Sequence, residues 1–274
     1  MSLLKLICHD LRCGLLRARY IAVPFIFAVP CLLLSSTLRS VEYAGTWVDY
    51  ALYCFKGIEP LDLSYTIVHI QLPVIWLLVI CGCLIINLDY FLNDLSQTGL
   101  QVIYRCDSRR HWFLSKCIWN IFSCALYFVL AGLTMFMFLL FTDGNLQFMN
   151  TAEITMSIFA LVEPAELNVW QCILLAVVLP YLTVSALSIL QMVLCLLVKP
   201  VLSFLICTSI LVTSVYLDSP LILGNGAMAI RSNLLVPDGP DWHIGAFLAI
   251  CIIICCVVFG IWKFARSDIL IHDD

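Results

Sequence analysis

The 274-residue chain is 63% hydrophobic and only 12% charged, with a formal net charge of −4 and a mean hydropathy of +1.04. A water-soluble domain is about one-quarter charged, so this chain lacks the polar surface to cover a globule in water. It also lacks the clustered basic face that nucleic-acid binding requires.

Residues 1–19 form a basic segment in which Leu3, Leu4, Ile7, Leu11 and Leu15 recur at helical spacing, while Lys5, His9, Arg12 and Arg19 point elsewhere. Such a helix either lies in the membrane interface or simply anchors the topology of the first span. A bilayer core of about 30 Å needs about 20 apolar residues per helical span. Six runs meet or approach that length: Tyr20–Leu38, Leu72–Leu92, Cys117–Phe141, Trp170–Val198, Val201–Leu217 and His243–Phe264. The first run is retained as a span, because Arg39 follows it where a signal peptide would carry a small-residue cleavage site. Only Lys199-Pro200 separates the fourth run from the fifth, and proline breaks a helix there. The expected fold is therefore all-α: a single transmembrane domain with residues 1–19 interfacial, 20–264 forming six helices and 265–274 a cytoplasmic tail.

Charge fixes the orientation. Lys5, Arg12, Arg17, Arg19, Arg105, Arg109, Arg110, Lys116, Lys199, Lys263 and Arg266 are 11 of the 14 basic residues, and all fall in alternate gaps. Only Arg39, Lys56 and Arg231 fall in the others. The basic gaps face the cytoplasm, so both termini are expected inside. The opposite gaps are acidic, with Glu42, Asp49, Glu59, Asp62, Asp143, Glu153, Glu163, Glu166, Asp218, Asp238 and Asp241.

Catalytic and metal chemistry find no support. Most of the 15 cysteines, Cys81, Cys83, Cys255 and Cys256 among them, lie in apolar runs and act there as small hydrophobes; Cys54 alone falls clearly in an outer gap. Their spacing does not fit a zinc knuckle. His9, His69, His111, His243 and His272 lie at span edges or in tails, so none is buried beside a nucleophile. There is no His-Glu-x-x-His, no Gly-x-Ser-x-Gly and no P-loop. The expectation is no catalytic residue, no metal and no cofactor in this chain.

Two segments stand out. In the gap after the second run, Asn93, Asp94 and Ser96 can cap a short helix carrying Leu95, Leu100, Val102, Ile103 and Tyr104, followed by Arg105, Arg109, Arg110, His111, Trp112 and Lys116. An element that is both apolar and basic can dock in a groove of a soluble partner, or its charges can merely set topology and meet lipid phosphates. The second segment, Ser219–Pro237, is half apolar, too short to span and bracketed by Pro220 and Pro237. It fits a re-entrant piece or a loop on the headgroups, and Arg231 can meet an outer carboxylate there. Asp89, beside Asn87 near the inner end of the second run, fits a snorkelling or capping role better than a buried functional carboxylate.

This pattern resembles the type-2 ABC exporter permeases, and more narrowly the small permease subunits of lantibiotic and bacteriocin systems. Three stretches carry the likeness: Gly99–Arg105 running into Ser108–Lys116; Leu223-Gly224-Asn225 with Met228 and Arg231; and the ending Trp262–Leu270. The resemblance implies an export subunit in a bacterial cell membrane, acting on a peptide or an amphipathic, lipid-like substrate. Its partners would be a separate cytoplasmic ABC ATPase, which binds the ATP and Mg, a second permease as homodimer or heterodimer, and membrane lipids. A coupling helix with Asp94, Leu100, Tyr104, Arg105, Arg109, Arg110 and Trp112 would dock on the ATPase. Asn225, Met228 and Arg231 would stand at the outer gate. The alternative is a non-transporting membrane scaffold or sensor that recruits a cytoplasmic partner through the same loop.

Overall fold

A computed structural model describes residues 3–15, 18–40, 43–59, 72–88, 90, 94, 109–142, 144–161, 166–236 and 239–266. Every regular element among them is helical. In chain order these are α1 (Leu3–Leu15), α2 (Ala22–Ser40, entered through a 3-10 turn at Ala18–Ile21), α3 (Trp47–Cys54), α4 (Val74–Asn87), α5 (Arg109–Phe141) and α6 (Ala152–Phe159). They are followed by α7 (Val169–Leu194), α8 (Pro200–Tyr216) and α9 (Trp242–Arg266), with two 3-10 turns, Leu223–Ala227 and Ala229–Arg231, between the last two helices.

The segments Ala18–Ser40, α5, α7 and α9 are long and apolar enough to cross a membrane, so the chain is a membrane-embedded helical protein. The other two expected spans are helical but shorter. At 14 and 17 residues, α4 and α8 extend about 21 and 26 Å, less than a bilayer core of about 30 Å.

Local sequence explains the breaks. Pro200 is the first residue of α8 and forces Lys199 into an extended conformation (φ −60°, ψ 148°). Thr46 caps α3 through a reciprocal pair of bonds with Asp49. Pro30 sits inside α2, where it removes one backbone donor. Within α7, residues Leu174–Val178 widen into a π turn just ahead of Pro180. The proline has no N–H for the carbonyl four residues back, and such widened turns recur at functional sites.

The bundle packs around α5 and α7. The former contacts α1, α2, α3, α4, α7 and α9, and the most extensive helix pair is α7 with α9. A large core joins α2, α3, α4, α5, α7 and α8. A smaller one gathers Leu6, Trp112, Phe113, Ile189, Met192, Cys256 and Phe264. The start of α1, the start of α5 and the end of α9 therefore meet at one end of the bundle, while α3, α6 and residues 218–236 lie at the other.

Three sequence-based expectations change. Arg109–Lys116 is not a separate helix but the first two turns of the 33-residue α5, because no proline or glycine interrupts the run. Cys54 is not in a loop: it ends α3 and is fully buried. The inward stripe of α1 is Leu6, Asp10 and Gly14, while Leu4 faces outward at 74% exposure.

Candidate functional site

At the α1 end of the bundle, Asp10, Lys116 and Asp94 form a buried ionic triad. The Lys116 ammonium lies 2.6 Å from Asp10 Oδ1 and 2.7 Å from Asp94 Oδ2, and its side chain is 1% exposed. Ser115 Oγ donates to Asp10 Oδ2 at 2.5 Å, and the Tyr90 hydroxyl donates to Oδ1 at 3.4 Å. The ammonium also sits 4.8 Å from the Tyr90 ring and 5.0 Å from the Trp112 ring. His9 approaches Asp10 at 3.8 Å from the exposed side.

Helical spacing puts these groups together. On α1, Leu6, Asp10 and Gly14 are four residues apart and share one face. Gly14 has no side chain, so the indole of Trp119 occupies the space that a Cβ would fill. On α5, Trp112, Ser115, Lys116 and Trp119 form the matching inward face. The triad therefore joins three stretches of chain: α1, the segment after α4 and the start of α5.

Immediately outside it, Arg109, Arg110 and His111 are exposed at the tip of α5. Of the residues expected to dock on an ATPase, Arg109 and Arg110 lie on this surface and Asp94 lies beneath it in the triad. Trp112 faces the other way: it is 1% exposed and stacks on Phe264 at 5.1 Å. Its indole is thus a core residue, since the start of α5 continues a span rather than forming a free amphipathic helix. Leu100, Tyr104 and Arg105 lie outside the described residues, as does Asp89.

The opposite end is organised by Arg231, which is 2% exposed. Its Nη1 donates to the Ser214 carbonyl at 2.6 Å and to Asn225 Oδ1 at 2.7 Å, Nη2 to the Val215 carbonyl at 2.8 Å, and Nε to the Ile58 carbonyl at 3.0 Å. Among the described residues the partners of Arg231 are mostly carbonyls at the end of α8, where the helix dipole is negative and the last C=O groups lack intrahelical donors. Burial draws the Arg231 pKa down, and Asp218 offsets part of that shift. Asn225 donates in turn to the Leu217 and Ser219 carbonyls. Met228 is buried against Gly57, whose φ of +74° favours glycine. The segment is hydrogen-bonded to residues 55 and 56 through Ala229 and Ile230, and Trp76 Nε1 donates to the Ala227 carbonyl at 3.1 Å. Asn225, Met228 and Arg231 thus come together in a buried plug.

A buried polar seam joins α4, α5 and α7 at one level of the bundle. Asn87 on α4 donates to Ser188 on α7 at 3.0 Å and accepts from Ser123 on α5; Ser123 also bonds Tyr20 at 2.6 Å. Gln191 donates to the Leu84 carbonyl at 3.2 Å. The seam and Asp10 are the residues that sequence inspection misses. A lone acid in a basic segment, and Asn, Ser and Gln at helical spacing in apolar runs, were the available signals. Among the described residues, no group of three or more His, Cys, Asp or Glu is placed to hold a metal ion.

Residues 25–270 match a protein family of unknown function, DUF2705, and the chain belongs to that family. No curated protein matches the chain.

Proposed function

We propose that this DUF2705 member is the membrane-spanning permease subunit of an ATP-driven exporter. In this reading all six apolar runs traverse the bilayer, and both termini are cytoplasmic. A separate ABC ATPase docks on the cytoplasmic end, a second permease faces this one, and ATP is hydrolysed in the ATPase. The exported molecule is a peptide or an amphipathic, lipid-like compound.

The observation that carries this reading is the link between an exposed basic tip and a membrane-length helix. Arg109 and Arg110 begin the same rigid element that reaches Phe141 at the far end. The triad ties that element to α1 and to the segment after α4, so force applied at the tip moves three pieces together. A partner that closes on ATP binding biases the permease pair between inward- and outward-facing states if it binds one of them better. Outside, the Arg231 plug stands where the path would open.

Reconstitution in vesicles with a candidate ABC ATPase from the same genome tests the proposal. Arg109→Glu with Arg110→Glu should abolish ATP-dependent transport while the ATPase hydrolyses ATP at its unstimulated rate. Transport unaffected by the double reversal would remove the docking role. An ATPase that binds this chain normally but moves nothing would leave a scaffold or sensor.

A further inference from the structure

A second feature lies between α3 and the middle of α5. A cavity of about 400 Å³ opens between α2, α3, α5 and α7. Phe27, Trp47, Phe55, Phe128, Met135 and Tyr181 wall it, and small residues make the room: Ala125 and Gly132 on α5, and Ala176 in the π turn of α7. The walls are braced. Phe55 stacks on Phe128 at 5.7 Å, Phe128 meets Tyr181 edge-on at 5.8 Å, and Trp47 Nε1 donates to the Gly132 carbonyl at 3.2 Å. The lip is Val129, 56% exposed on the outer surface of α5.

Position and lining together determine what can enter. Three of the four walls belong to segments long and apolar enough to cross a membrane, so an opening on the face of α5 meets lipid hydrocarbon rather than water. The lining offers almost no polar partner, and a buried water needs two to four of them. An unfilled void would forfeit dispersion contacts along its whole wall. The volume falls within the range of about 300–1,000 Å³ typical of small-molecule pockets.

We infer that this cavity binds one hydrocarbon chain of an amphipathic molecule, entered sideways from the bilayer past Val129. The binding itself requires only that the chain sit in a membrane. That the bound molecule is the exported one rests on the exporter reading.

Photolabelling tests the site on the purified full-length chain in phosphatidylcholine nanodiscs, with no ATPase present. One arm uses palmitic acid carrying a diazirine in its chain, the other phosphatidylcholine with the same group in one acyl chain. Labelled peptides are mapped by mass spectrometry. Labels should concentrate on Ala125, Phe128, Gly132, Ala176 and Tyr181, above the level at Phe122, Leu133 and Phe136, which are exposed on the same helix. A Cβ at Gly132 meets Trp47 at an ordinary 3.5 Å, so Gly132→Leu should fill the space and abolish cavity labelling while Leu133 and Phe136 stay labelled. Phe128→Ala, which enlarges the cavity, should retain it and guards against misfolding of the first variant. Labelling from the free acid alone would identify a single-chain amphiphile, and labelling from phosphatidylcholine a membrane lipid. Lining residues labelled no more than the lipid-facing ones, or labelled equally in Gly132→Leu, would overturn the site. The exporter reading fails separately, if no ATPase associates.

Discussion

Lys116 carries its ammonium into a place where water cannot solvate it, and Asp10 and Asp94 compensate. Removing one partner of a buried ion pair costs about 3–5 kcal/mol, because the remaining charge stays desolvated. Lys116→Met should therefore lower stability in detergent by about that amount, read as a fall in thermal midpoint. Adding Asp10→Asn and Asp94→Asn to it should restore most of the loss. Arg231 predicts a different failure. Arg231→Lys keeps the charge but cannot span the Ser214, Val215 and Ile58 carbonyls with one fork. With hydrogen bonds to charged groups at about 1.5–3 kcal/mol each, the loss of one or two should open the plug and expose the Arg231 segment to protease. Neither arrangement was legible in the sequence, for one physical reason. The partners of Lys116 include Asp10, 106 positions away, and those of Arg231 are mostly backbone carbonyls, which any residue supplies.

At the scale of elements, hydrophobic length and helix breakers carried most of the information. Each of the six apolar runs contains a helix among the described residues, and the Lys199-Pro200 break falls where proline chemistry puts it. Hydropathy failed at the start of α5, because Arg109, Arg110 and Lys116 lower the local average while the backbone continues unbroken. On α1 apolar periodicity does not select the most buried stripe, because that stripe carries Asp10 and Gly14 beside Leu6. That stripe makes a prediction. Gly14→Val would drive a side chain into the Trp119 indole and lift α1 from α5, which should appear as new proteolysis near α1 with the rest of the bundle protected. The outer plug has an equivalent contact, where Gly226 and Gly245 approach so closely that a Cβ on Gly245 would lie 3.1 Å from the Gly226 Cα. Gly245→Val should loosen the plug from α9, measured as faster thiol labelling of a cysteine placed at Ser232.

The whole molecule carries three polar arrangements: an exposed basic tip on an ionic triad, a polar seam joining α4, α5 and α7 at one level, and a buried plug at the far end. The basic tip and the proline-bracketed outer segment were legible as charge and proline patterns, though the hydrogen bonds that bury Arg231 in that segment were not. The seam was not, because Asn87, Ser123, Ser188 and Gln191 look unremarkable until the helices meet. The account as a whole depends on a soluble ATPase seated on the tip. The most direct test is to co-express this chain, tagged, with a candidate ABC ATPase from the same genome and to measure the stoichiometry after purification through the tag. The account predicts equal amounts of the two chains, and loss of the ATPase when Arg109 and Arg110 are both changed to glutamate while this chain still elutes as a folded species. A folded chain that elutes with no ATPase, or one whose ATPase is unaffected by the double reversal, would contradict it.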